Sequence, residues 1–292
     1  MMERRSRVWE KENRMKTVWP CVGVMVVCVA GFGVARACVA QDVPATPATG
    51  PAAPAPPTEA AMELLKALES AGDKFTAIRA DIVYTVFNPT LGDKETRTGY
   101  VLYVAAKGDN PARFRIHFQT RQEGDGPRIK DEMEYAFDGK WFNVKDHANK
   151  KLQQIQVAAP GEKVEPLRLG KGPFPLPFGQ KVDDVLEFFH PVTRDPLPSD
   201  PPNTRYLKLT PKPGKSDQVN FTEVEQWMDK ETYLPVKLIA KEKNKTVTTV
   251  LFGKREGDKL IIDTKPAIKD SDFTLSRPTG WQLEIIRMDE KK

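Results

Sequence analysis

The chain has 292 residues, 39 % of them hydrophobic and 29 % charged, with a formal net charge of +5. This composition allows one or two domains with a real apolar core and excludes an intrinsically disordered chain. Residues 1–40 hold seven Lys/Arg and three Glu, so residues 41–292 are left with only +1. A near-neutral body lacks the concentrated basic surface that nucleic acid requires.

The first forty residues read as a secretory leader. A basic region ends at Lys16, an apolar stretch runs from Val18 to Val34, and the small residues Ala35–Ala40 follow. Signal peptidase needs small side chains one and three residues before the cut, which fits cleavage after Ala40 or Ala37. An uncleaved anchor and a lipid-modified Cys38 are the alternatives, although Arg36 does not suit a lipobox. The expected address is the periplasm, or export of another kind. Cys21, Cys28 and Cys38 all lie in this region, so a cut after Ala40 leaves no thiol for a disulfide or a metal. Residues 43–57 (VPATPATGPAAPAPP) contain six prolines and five alanines and read as an extended tether. The expected organisation is a signal peptide at 1–40, an Ala/Pro-rich linker at 41–57 and one folded domain at 58–292.

Thr58 is a candidate N-cap for a helix carrying Met62, Leu65 and Leu68, with Gly72 near its end. The period then changes to two. Ile78–Val86, Thr98–Val104, Arg113–Phe118 and Glu132–Phe137 alternate, and Asp138-Gly139 turns the chain into Lys140–Lys145. Leu152–Val157 can pair again. Gly170–Gly179 (GKGPFPLPFG) is an apolar loop, and Val182–Phe189 has the spacing of a short amphipathic helix. Pro191 should end it and open a polar loop to Asn203. Strands resume at Arg205–Thr210, Val219–Met228, Leu234–Glu242, Thr246–Phe252 and Leu260–Asp263, with a last pair at Phe273–Leu275 and Trp281–Ile286. One apolar face per strand implies an antiparallel sheet. The fold class expected is mainly β: a strongly curved antiparallel sheet or unclosed β-barrel of about ten to twelve strands, with an N-terminal helix and a central helical lid on its concave side.

Catalytic signals are missing. His117, His147 and His190 lack metal-ligand spacing, and His117 reads as a solvated side chain. Glu132/Glu134 and Glu223/Glu225 are same-face neighbours on single strands, a pattern of solvated charge rather than of a glycosidase pair. Asp138 and Asp229 take turn positions. No phosphate loop, nucleophile elbow or HExxH occurs. No enzyme, cofactor or metal site is expected. The aromatic residues Tyr84, Tyr100, Phe114, Phe118, Tyr135 and Phe137 share the apolar strand faces, either as a packed core or as the wall of a ligand pocket.

Three stretches carry a family resemblance. They are Gly99–Val104 with Asn110-Pro-Ala-Arg-Phe-Arg-Ile116, Phe137-Asp-Gly-Lys-Trp-Phe142, and Phe273-Thr-Leu-Ser-Arg-Pro-Thr-Gly-Trp281. Together with the order of elements over residues 60–286, they resemble the bacterial outer-membrane lipoprotein carrier family (LolA/LolB-like). That resemblance implies an unclosed barrel with a helical lid, which binds the acyl chains of lipoproteins or other lipids and moves them between inner-membrane donor and outer-membrane acceptor proteins, as a monomer. The lipid-binding residues expected from the strand faces and the apolar central segment are Tyr84, Tyr100, Leu102, Phe114, Ile116, Phe118, Tyr135, Phe137 and Trp141 as floor, with Phe174, Phe178, Phe188 and Phe189 as cover. A sensor or adaptor of the same fold that binds a membrane-protein partner is the alternative. Two departures stand out. Asn110 replaces the family arginine that ties the lid, with Lys107 and Arg113 as the nearby cations, and Arg121–Lys130 and Gly161–Gly172 read as insertions.

Overall fold

Thr58 is extended, and its Oγ1 accepts the Ala61 N–H at 3.3 Å. This cap starts helix α1 (Glu59–Gly72), which buries Ala61, Leu64, Leu65 and Ala71. The computed structural model describes residues 57–157, 169, 174, 177–257 and 259–287. The leader, nearly all of the tether and most of the Gly161–Gly179 stretch lie outside these residues.

Alternating sequence then builds β1 (Ala77–Asn88), β2 (Asp93–Val104), β3 (Arg113–Glu123), β4 (Ile129–Phe137), β5 (Trp141–Asp146) and β6 (Lys151–Gln156). After the central segment come α2 (Val182–Phe188), β7 (Phe189–Val192), β8 (Thr204–Pro211), β9 (Phe221–Asp229), β10 (Pro235–Glu242) and β11 (Val247–Phe252). A separate ribbon pairs β12 (Lys254–Glu256) with β13 (Lys259–Ile261), and β14 (Gln282–Ile286) is last. The main sheet runs β14-β6-β5-β4-β3-β2-β1-β11-β10-β9-β8-β7 and is not closed. Its first half walks outward from β1 to β6. Its second half begins at the far edge with β7 and walks back, so that β11 pairs with β1. The central segment therefore has to carry the chain from one side of the sheet to the other.

Two local devices shape the curl. Asp138 Oδ1 accepts the N–H groups of Lys140 and Trp141 at 2.9 and 2.8 Å, locking the β4–β5 turn as the Asp-Gly pair suggests. At Gly99 the β2–β3 register slips, and a Cβ there would lie 1.8 Å from the His117 carbonyl oxygen. Only glycine lets β3 come that close.

Arg121–Lys130 is the end of a long β3–β4 hairpin, with β3 running to Glu123 and β4 starting at Ile129. Three sequence expectations are corrected. Pro191 does not open a loop. It sits in edge strand β7, where a missing N–H is tolerated. Leu260–Asp263 contributes to the ribbon, not to the main sheet. The last pair is not a hairpin: Phe273 closes a 3-10 turn (Asp270–Phe273), and β14 pairs in parallel with β6, making the sheet mixed.

Residues 263–281 instead form a strap across the outer face of the first half of the sheet. Asp263 bridges to Arg79, Asp270 pairs with Arg113 at 2.7 Å, and the Asp272 carbonyl accepts from Arg115 at 3.1 Å. Phe273 is fully buried beneath the Arg113 guanidinium, 4.9 Å from its ring centre. Leu275 packs with Ala136 and Leu152. Truncation of a buried Phe removes both transfer energy and packing. Phe273→Ala should therefore cost about 3–5 kcal/mol of unfolding free energy in urea titration; a loss below about 1 kcal/mol would show that the strap is not docked through this residue.

Candidate functional site

Register decides which side chains share the concave face. Phe114, Ile116 and Phe118 of β3 lie opposite Phe137, Tyr135 and Met133 of β4, and opposite Tyr103, Val101 and Gly99 of β2. Tyr84 and Ile82 of β1 continue the same face into Val250 and Phe252 of β11. The rings make a continuous floor: Tyr84 lies 5.5 Å from Phe118, Phe118 lies 6.2 Å from Tyr135, and Phe114 lies 6.2 Å from Phe137. Offset and edge-on contacts at these distances are favourable for aromatic quadrupoles.

The centre of this floor is occupied by the central segment. Phe174 meets Tyr135, Tyr84 and Phe114 edge-on at 4.9, 6.1 and 6.5 Å and is 2 % exposed. Phe178 stacks on Tyr103 at 5.5 Å and meets Phe252 edge-on at 5.6 Å. Gly179 permits that approach. Its φ is +67°, and a Cβ would fall 2.3 Å from the Tyr103 hydroxyl. Burial raises the phenol pKa values of Tyr84 and Tyr135, the latter to about 12, as expected for hydroxyls facing a low-dielectric interior. Toward the end of the β2–β4 hairpins the floor turns polar: Arg97 binds Glu95 at 2.7 Å, and Arg121 binds Asp131 at 2.6 Å.

At the other end, α1 and the segment Pro177–Val185 roof a cavity of about 50 Å³, lined by Leu65, Leu68, Phe75, Tyr103, Gln226 and Met228 among others. That volume suits a few waters. Lys181, the residue before α2, reaches Asp73 at 2.9 Å and Glu69 at 3.4 Å, fastening the segment to the end of α1.

The predicted floor residues therefore divide. Tyr84, Phe114, Ile116, Phe118, Tyr135 and Phe137 come together, with Phe174 and Phe178 against them. Tyr100, Leu102 and Trp141 do not: they pair with His117, Arg115 and Gln156 on the opposite face. Phe188 belongs to α2, and Phe189 is a strand residue of β7 in register with Pro211, so it is part of the sheet rather than of a cover. Val101, Tyr103, Phe142 and Phe252 are floor residues that sequence reasoning missed. Phe142 was legible in principle, because Trp141 and Phe142 must face opposite ways. The lid tie is also reassigned. Arg113 serves the strap, and Lys107 pairs through its backbone with Asn110, while Lys181 makes the link between α1 and the central segment.

The outer face carries a second cluster. His117 lies 3.3 Å from both Tyr100 and Glu132, and His147 lies 2.8 Å from Glu134 and packs edge-on against Trp281. Glu134 also pairs with Arg115 and is only 3 % exposed, so the expectation of solvated carboxylates and a solvated His117 fails where the strap covers the strands. Among the described residues no group of three or more His, Cys, Asp or Glu could hold a metal. Burial by itself raises the Glu134 pKa, but the His147 hydrogen bond and the Arg115 charge outweigh it and the net shift is downward. A carboxyl with a depressed folded pKa stabilises above its unfolded value, about 4.3, and loses that contribution as pH falls through the folded value. The melting temperature of wild type should accordingly fall more steeply than that of Glu134→Gln as pH drops below about 4.3; parallel acid limbs would contradict this.

No protein-family model matches the chain, and no curated protein matches it. Solved structures do. A DUF1329 family protein from Desulfovibrio piger is 13 % identical, with a TM-score of 0.41, over 75 % of this chain and 98 % of that one. A putative outer membrane lipoprotein-sorting protein domain from Vibrio parahaemolyticus is 12 % identical, with a TM-score of 0.36, over 74 % and 96 %. A LolA superfamily protein from Nitrosomonas europaea is 13 % identical, with a TM-score of 0.32, over 74 % and 97 %. The structures this chain is similar to include proteins named for lipoprotein sorting and for the LolA superfamily.

Proposed function

We propose that this chain is an exported, non-catalytic carrier that holds acyl chains of a lipoprotein or another lipid on the concave aromatic floor. The observation that supports this most is the seat of Phe174: a side chain from a Pro/Gly-rich crossing segment, rather than from a strand, fills the centre of the floor. A side chain supplied by a crossing segment can leave without breaking strand pairing, so Phe174 is a stopper that a ligand can replace. No helix among the described residues is long and apolar enough to cross a membrane, and the leader and tether expected from sequence fit a domain released or tethered outside the cytoplasm.

Magnitudes set the ligand class. Exposing Phe174 and Phe178 costs about 1.5–3 kcal/mol each, while burying each methylene returns about 0.8 kcal/mol. Roughly four to eight methylenes only offset the displaced rings, so long acyl chains bind and short ones do not. The backbone of the floor is held by strand pairing, whereas the segment that must move is fastened at Lys181 by exposed ion pairs, which are individually weak. Movement of the cover thus breaks no strand pairing, and the ligand offsets the exposed rings.

The test is titration with an environment-sensitive fatty-acyl probe. Wild type should saturate. Phe114→Asp and Tyr135→Asp should abolish the signal by placing a charge on the floor, and Phe174→Ala should bind about tenfold or more tightly because the stopper is gone. No saturable signal in wild type, or floor variants that stay folded and bind normally, would return this face to the status of an ordinary core. A protein partner co-purifying in place of lipid would favour the adaptor reading.

A further inference from the structure

Resting on that reading, we infer that the cavity beneath α1 is the seat of the ligand's polar end, and that Gln226 is the group that recognises it by hydrogen-bonding a carbonyl. Gln226 is 5 % exposed, faces the concave side from β9, and lines the cavity under α1. Most of its neighbours there are apolar, Leu65, Leu68, Phe75, Leu209 and Met228 among them, and the polar ones are Gln180, Lys181, Tyr103 and Tyr233. No described residue makes a hydrogen bond to its side-chain amide. An amide that meets cavity space instead of a protein partner is satisfied by whatever fills that space, and an apolar residue of the same shape would serve packing better. Retaining the amide makes sense where it meets something that is not part of the chain.

Position supports the same assignment. Register places Gln226 opposite Leu238, Leu238 opposite Val250, and Val250 opposite Tyr84. Gln226 and Tyr84 thus lie in one cross-strand row, three strand spacings or about 14 Å apart, with only Leu238 and Val250 between them. Tyr84 is where Phe174 sits. A chain whose carbonyl meets Gln226 can run along that row into the space Phe174 vacates. The roof over Gln226 is made of α1 and Pro177–Val185, the elements joined by Lys181, so release of that link opens the polar end and the aromatic floor together. A mostly apolar pocket with a few well-placed polar groups is the usual design for fixing a ligand's orientation; here Lys181 is engaged by Asp73 and Glu69, and Gln180 by Leu169 and Phe178, which leaves Gln226 to meet the ligand. The ligand class is a long-chain acyl ester, amide or acid, distinguished from a plain hydrocarbon or ether by its carbonyl oxygen.

The test compares two ligands that differ only in that oxygen, monopalmitoyl glycerol and hexadecyl glycerol ether, each displacing a fluorescent acyl probe from the full chain. Wild type should prefer the ester about tenfold. Gln226→Met, unbranched and of similar length, should erase the preference while keeping the affinity for the ether, and should melt no lower than wild type. Gln226→Leu is the second variant, used if the first is misfolded by circular dichroism. Equal binding of ester and ether by wild type would mean that Gln226 serves only an internal water and would overturn the inference. So would a preference that survives both substitutions. In either of those cases the carrier reading stands, because both ligands bind. Failure of wild type to bind either ligand would sink the carrier reading and this inference together.

Discussion

An unclosed sheet of twelve strands leaves an apolar inner face to be covered, and in this chain two phenylalanines from outside the sheet pack on it. Phe174 against Tyr84, Phe114 and Tyr135, and Phe178 between Tyr103 and Phe252, are the contacts on which the concave side depends. A closed barrel would have removed the problem by joining its edges. Here β14 and β7 remain as edges. The inner face is covered rather than sealed, and a cover can exchange with a ligand of similar polarity.

The chain finishes the first half of the sheet at β6 and restarts at the far edge with β7. The described residues of that connection, Phe174 and Phe178 among them, pack on the inner face. The outer face of the first half is taken by the C-terminal strap, anchored through Phe273, Arg113 and the Arg115–Glu134–His147 network. The strap is fixed by buried rings, charge-assisted hydrogen bonds and a parallel strand, and the described residues of the inner segment include ring contacts of Phe174 and Phe178 and the ion pairs of Lys181. In the function proposed above, the first covering stays shut and the second opens.

Much of this architecture was legible in the sequence, because strands with one apolar face declare themselves by alternation. Arg113–Phe118 and Glu132–Phe137 gave strand and face together, and Asp138-Gly139 gave the turn. Legibility ended where a second layer covered the outer face. Gly99–Val104 is apolar at nearly every position because β2 is buried on both sides, so its alternation could not show that Tyr100 and Leu102 face outward. Burial of Glu134 was invisible for the same reason: it depends on residues 263–281, far away in sequence. Local rules make Pro191 a stop, and only the position of β7 at the sheet edge makes it acceptable within a strand. Gln226 gave no local signal at all, since a polar residue in alternation with apolar ones is ordinary until the register shows which side it is on.

The central claim is that the inner cover and the ligand compete for one surface. Amide hydrogen exchange, followed with and without a saturating long-chain acyl ligand, addresses it directly. The account predicts that amides between Leu169 and Phe188 exchange faster in the liganded protein, that those of β3 and β4 exchange no faster, and that the strap from Asp263 to Trp281 is unchanged. A bound ligand that leaves the Leu169–Phe188 amides as protected as before, or more so, would contradict it.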